Sequence, residues 1–123
     1  MKNFSFHQTT HIHFGRGEIN NRGKITRQYG RRVLLVTTHA SIPALKEQYD
    51  RIKKMLAVEG LVVTHFDKVI PNPTTDTIRE GAGLAKDNDC DVIVGLGGGS
   101  SMDTAKAISV EATHEGGCWD YLF

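Results

Sequence analysis

Asp91-Val92-Ile93-Val94-Gly95-Leu96-Gly97-Gly98-Gly99-Ser100-Ser101-Met102-Asp103-Thr104-Ala105-Lys106 is an apolar run that ends in three glycines and continues as a helical pattern. An apolar run without polar alternation marks a strand covered on both faces, as in parallel sheets flanked by helices. Met102 to Ala112 reads as the helix that follows, starting near Ser100. Upstream, the same alternation repeats. Leu61-Val62-Val63-Thr64-His65-Phe66 and Val33-Leu34-Leu35-Val36 are two further apolar runs. Between them, Ser41 can cap a helix in which Ile42, Leu45, Tyr49, Ile52 and Leu56 recur at helical steps, with Gly60 as its stop. Pro71-Asn72-Pro73 can continue neither a strand nor a helix and reads as a fixed loop. A helix from about Thr75 to Lys86 follows it, with Ile78, Ala82 and Ala85 inward.

Strands alternating with helices at this spacing predict a βαβαβα order, hence an α/β, Rossmann-like parallel sheet with flanking helices. Ahead of it, Glu18 to Tyr29 carries helix formers closed by Gly30. Phe4, Phe6, Ile12 and Phe14 alternate loosely around Thr9-Thr10, which predicts a short N-terminal β-hairpin.

The 123 residues fit one compact domain. A formal net charge of +1 excludes a basic footprint for nucleic acid. No stretch approaches the roughly 18–20 apolar residues of a membrane helix, and MKNFSFHQTTHIHF lacks a signal peptide's apolar core. Cys90 and Cys118 form neither a disulfide framework nor a CxxC knuckle, so a reducing cytoplasm is the expected compartment. Glycine is the outlier at 13 residues, about 11% against an average near 7%.

The glycine turn admits two readings. Glycines let a backbone approach a ligand closely, and a helix N-terminus offers unpaired N–H groups with a favourable dipole, together an anion site suited to pyrophosphate. Alternatively the turn is a tight connection with Ser100-x-x-Asp103 as a capping box. The GxGxxG and P-loop fingerprints are both absent, since Met102 stands where the last glycine of the first would fall. At the end of the first apolar run, Val36-Thr37-Thr38-His39 holds no acid to chelate adenosine ribose hydroxyls, so Thr38 and His39 leave room for a 2′-phosphate and mildly favour NADP. Lys106 is spaced to pair with Asp103. His7, His11 and His13 lack the carboxylate or HxxxH partners of a metal site, and Cys90 has no base at short spacing.

Taken in order, Phe14-Gly15-Arg16-Gly17, Val33 to Thr37, Pro71-Asn72-Pro73-Thr74 and the GGGSSMDTAK element at 97–106 resemble the iron-containing (group III) alcohol dehydrogenases. Trp119-Asp120 resembles the butanol dehydrogenase-like branch. The resemblance implies a dehydroquinate synthase-like N-terminal domain that binds NAD or NADP. It implies hydride transfer between small alcohols and aldehydes, with Fe2+ or Zn2+ in the full-length parent. By residue match, Gly97, Gly98, Gly99 and Ser100 would bind the pyrophosphate, Asp103 would sit on the nicotinamide side, and Thr38 and Asn72 would line the adenosine side. The position of Thr38 is often acidic in NAD-using members.

Members of the family carry their metal ligands in an all-helical second domain. Residues 1–123 are therefore expected to be a truncated cofactor domain, inactive alone, with an exposed sheet edge that allows a homodimer. A glycerol dehydrogenase-like or dehydroquinate synthase-like relative shares the GGGS element, and a stand-alone nucleotide-binding module is the non-enzymatic alternative.

Overall fold

The computed structural model describes residue 3 and residues 5–121. Three parallel strands, β1 (Arg32–Thr38), β2 (Val62–Val69) and β3 (Val92–Gly95), lie in the order β2-β1-β3. Helices α1 (Arg22–Arg27), α2 (Pro43–Val58), α3 (Thr75–Asp87) and α4 (Gly99–Thr113) connect and cover them. Single 3₁₀ turns stand at Glu18–Asn21 and Cys118–Tyr121.

The central strand shows why an unbroken apolar run was needed. Val33, Leu34, Leu35 and Val36 are all fully buried. Because side chains alternate across a strand, Val33 and Leu35 pack with Ile52 and Leu56 of α2, while Leu34 and Val36 meet Ile78, Ala82, Ala85, Ala105 and Ile108 of α3 and α4. Truncating Leu34 or Leu35 to alanine removes a side chain from a layer closed on both sides, a change that costs about 2–5 kcal/mol.

The inward faces of the helices follow the sequence spacing. Tyr49, Ile52 and Leu56 are buried on α2, and Ile78, Ala82 and Ala85 on α3. Ser41 does not cap α2: the chain enters the helix through extended Ile42, and Pro43 takes the first turn, where its missing N–H costs no hydrogen bond. Thr74 caps α3, its hydroxyl accepting from the N–H of Thr77 at 3.3 Å. Gly60 follows α2 at φ +76°, the left-handed turn that ends a helix.

The predicted N-terminal hairpin is absent among the described residues. Residues 5–14 hold no strand, and Phe6, Ile12 and Phe14 are 78%, 75% and 98% exposed; Phe4 lies outside the described residues. The physical reason is local. Nothing in Gln8-Thr9-Thr10-His11 supplies the Gly- or Asn-rich tight turn of a two-residue loop, and an isolated two-stranded ribbon is marginal without a surface to cover.

Candidate functional site at the carboxyl edge

The order β2-β1-β3 places the switch in winding direction between β1 and β3. The helix after β1 packs on one face of the sheet, and the helix after β3 on the other. Open α/β sheets bind ligands in the crevice beyond the strand carboxyl ends at such a point. Here that crevice lies between Thr38, which ends β1, and the turn that follows Gly95. The N–H of Leu96 donates to the Val36 carbonyl at 2.9 Å, which ties the turn to the central strand.

The three glycines of the turn differ. Gly97 has φ +144°, and a Cβ there would fall 2.6 Å from the Ser101 Oγ, so the chain's own geometry requires glycine. Gly98 has ordinary extended backbone, with φ −86° and ψ −163°, and Gly99 is the first residue of α4. A Cβ on either would meet nothing within 4 Å. Neither glycine is demanded by packing, and both are exposed.

No side chain caps α4. Ser100 is the second residue of the helix, already past the cap position, and so the Ser100–Asp103 capping box does not form. The first-turn N–H groups of α4 therefore have no capping side chain, and Gly98 and Gly99 beside them carry no β-carbon to narrow the approach.

Thr38 and Asn72 share the same edge. Thr38 has its hydroxyl 2.9 Å from the Tyr49 hydroxyl, and Asn72 follows β2 with φ 52°. Asp103 stands apart, a turn further along α4. It is exposed, its carboxylate lies 3.9 Å from the Lys106 ammonium, and both line a groove of 330 Å³ with Pro73, Ile78 and Trp119.

The structure also makes contacts that no motif signalled. The Thr37 hydroxyl donates to the Thr38 carbonyl at 2.8 Å and lies 2.9 Å from the Nε2 of His65. A hydroxyl has one hydrogen, so His65 is the donor in the second contact and carries its proton on Nε2. Burial, and then the charge of Lys53, push the His65 pKa below its usual value. His39 Nδ1 lies 3.1 Å from the Asp67 carboxylate, which can only accept when ionised. The signal for these pairs is strand period two, which puts His65 and Asp67 on one face of β2. Burial raises the thiol pKa of both Cys90 and Cys118, the reverse of an activated nucleophile.

The family model for iron-containing alcohol dehydrogenases matches residues 9–122. The chain belongs to the iron-containing alcohol dehydrogenase family. It is similar to the probable NADH-dependent butanol dehydrogenase 2 of Bacillus subtilis (strain 168), with 37% identity over 98% of this chain and 30% of that protein. It is also similar to a choline dehydrogenase of the same organism, with 42% identity over 98% of this chain and 30% of that protein. Among solved structures, the NADH-dependent butanol dehydrogenase A of Thermotoga maritima superposes with a TM-score of 0.86 and 36% identity, over 98% of this chain and 30% of that one. The chain thus spans about 30% of the length of these relatives.

No group of three or more His, Cys, Asp or Glu among the described residues is placed to hold a metal ion. No helix among the described residues is long and apolar enough to cross a membrane.

Proposed function

We propose that residues 1–123 form part of the NAD(P)-binding half of an enzyme that interconverts small alcohols and aldehydes by hydride transfer. One observation carries this reading. The uncapped start of α4 faces a crevice bordered by Gly98 and Gly99, whose missing side chains no neighbouring atom explains. An anion that needs close backbone approach does explain them.

In this reading the N–H groups of the first turn of α4, from Gly99 onward, hold the pyrophosphate, with Gly97 and Gly98 giving it access and Ser100 completing the cradle. Thr38 and Asn72 border the adenosine, the Tyr49 hydroxyl fixing the orientation of Thr38. Asp103 marks the direction of the nicotinamide, along the groove that ends at Trp119. The bound dinucleotide supplies the hydride acceptor or donor. The chain's own contribution is to bind and orient it.

The names of the butanol dehydrogenase relatives support NADH as cofactor, whereas the acid-free end of β1 supports acceptance of NADP. Fe2+ or Zn2+ would be held by the all-helical domain that the family resemblance implies, where it would polarise the substrate oxygen. The relatives' substrates differ by name, butanol in one and choline in another, so the substrate class proposed is a small alcohol or aldehyde. Cys90 and Cys118 are unpaired, which supports a reducing compartment.

Isothermal titration of the 123-residue chain with NAD(H) and NADP(H) tests the reading. Binding of at least one cofactor at millimolar concentration or tighter is expected. A folded sample that binds neither would remove the claim that these residues suffice as a cofactor module.

A further inference from the structure

Glu111 is the one acidic residue buried among the described residues, and the cofactor reading leaves it unused. It stands on α4 with its side chain 7% exposed. Burying a carboxylate is unfavourable unless its oxygens are partnered, so the contacts that offset the burial indicate what the residue does. Oε2 accepts from the Cys118 N–H at 2.8 Å, and Oε1 lies 3.9 Å from Nε of Arg79 on α3.

Between Glu111 and Cys118 the chain leaves α4 and returns as the 3₁₀ turn Cys118–Tyr121. That turn is braced from within. The Asp120 carboxylate accepts from the Gly117 N–H at 2.9 Å, the Asp120 N–H donates to the Gly117 carbonyl at 3.0 Å, and the Tyr121 hydroxyl donates to the Glu115 carbonyl. Among the described residues, the bond from Cys118 to Glu111 is the one hydrogen bond that joins residues 115–121 to a helix. Cys118 also packs on the core beneath it, a contact without direction. An internally braced turn with one directional tie is placed by that tie.

Trp119 is the side chain that the turn presents. It is 72% exposed. It lines the groove that holds Asp103 and Lys106, and it also lines a second hollow of 460 Å³ with Thr75, Arg79 and Glu111. Trp119 is therefore a wall common to both, and its position sets the width of the groove.

We propose that Glu111 is a positioning residue: by holding the Cys118 N–H it fixes Trp119 as the wall of the Asp103 groove, and so shapes the side of the crevice assigned to the nicotinamide. The inference rests on the cofactor reading above for the use of the groove, and goes beyond it by naming a buried side chain that touches no ligand. Without the acceptor, the half-buried Cys118 N–H has no partner unless the turn swings out to water.

The test compares Glu111→Leu, which keeps the volume and removes the acceptor, with Glu111→Gln, whose amide oxygen still accepts from Cys118. An apolar side chain of like volume can replace a buried ion without loss of the fold, so the thermal midpoint is a control and not the readout. Trp119 is the only tryptophan of the chain, and its fluorescence anisotropy reports the turn directly. Glu111→Leu should lower that anisotropy by about a third, as a held side chain gains nanosecond loop motion, and Glu111→Gln should leave it within about a tenth of wild type. Titration with NAD+ and with ADP-ribose, which lacks the nicotinamide, reads the groove. Glu111→Leu should weaken NAD+ about fivefold and ADP-ribose less than about twofold, whereas Glu111→Gln should keep both within about twofold of wild type. Unchanged anisotropy in Glu111→Leu, an equal fall in Glu111→Gln, or equal losses of NAD+ and ADP-ribose overturns the inference and leaves the cofactor reading standing. Wild type that binds neither nucleotide overturns the cofactor reading and the use of the groove with it; the anisotropy contrast then still decides whether Glu111 holds the turn.

Discussion

At the amino edge of the sheet Gly30 makes room for Asp91, whereas at the carboxyl edge Gly98 and Gly99 make room for nothing in the chain itself. A Cβ on Gly30 would fall 2.6 Å from the Asp91 Cγ. That carboxylate accepts from the N–H of Arg31 at 2.9 Å and of Arg32 at 2.8 Å, which locks the start of β1 to the start of β3. The amino edge is a closed account of donors and acceptors. The carboxyl edge has an uncapped helix start, exposed glycines and no side chain filling the gap. The difference teaches which glycines the packing itself requires: Gly30 has a neighbour where its β-carbon would be, and Gly98 and Gly99 have space, the property that the proposed pyrophosphate site would use.

The strongest way to break this comparison is to fill the amino edge. Gly30→Val should displace Asp91 and Val92 and destabilise the fold by about 2–3 kcal/mol, as overpacking a formed contact does. Chemical denaturation measures this, and cofactor affinity of the folded fraction should be unchanged. A neutral result would mean the amino edge is as open as the carboxyl edge.

Filling the carboxyl edge should do the opposite. Gly98→Val meets no neighbour and keeps an extended backbone that valine adopts, so stability should stay within about 0.5 kcal/mol of wild type. Cofactor affinity should fall at least tenfold, because the branched side chain occupies the approach to the α4 amides. Equal losses of stability and binding would return the turn to pure architecture.

The smallest effect concerns charge. Hydrogen bonds from the Arg31 and then the Arg32 backbone N–H groups hold the Asp91 carboxyl below its usual pKa of 3.8. A depressed folded pKa means that the unfolded chain binds the proton more readily. The contribution of Asp91 is therefore complete above pH 3.8 and is lost as pH falls through the lower folded value. Asp91→Asn should cost about 1 kcal/mol at neutral pH and flatten the acid limb of the stability curve. The same decline below pH 4 in both proteins would show that the contact adds nothing.

Much of the fold was legible because its signals are local. The three apolar runs, the helical steps of Tyr49, Ile52 and Leu56, and the Pro71-Asn72-Pro73 break each depend on residues within one or two turns of one another. The hairpin expected from Phe4, Phe6, Ile12 and Phe14 is absent among the described residues because period two alone names a pattern, while a strand needs a partner to bond and a face to bury. The capping box failed by two residues: α4 begins at Gly99, and a cap works at one position only. Thr38 was legible as a strand end, but not its partner Tyr49, which reads from spacing as a core residue of α2.

The sequence by itself determined the order of strands and helices, the place of the glycine turn after the third strand, and, through the GGGSSMDTAK element, the family. Periodicity and motif are properties of contiguous residues, and contiguous residues carry them whatever the rest of the chain does. Tertiary structure decided the strand order that sets the crevice between β1 and β3. It also separated Gly97 from Gly98 and Gly99, and brought His39 to Asp67 across two strands. Those facts depend on which residues meet after the sheet has paired, and pairing is set by burial summed over the whole core rather than by any one stretch.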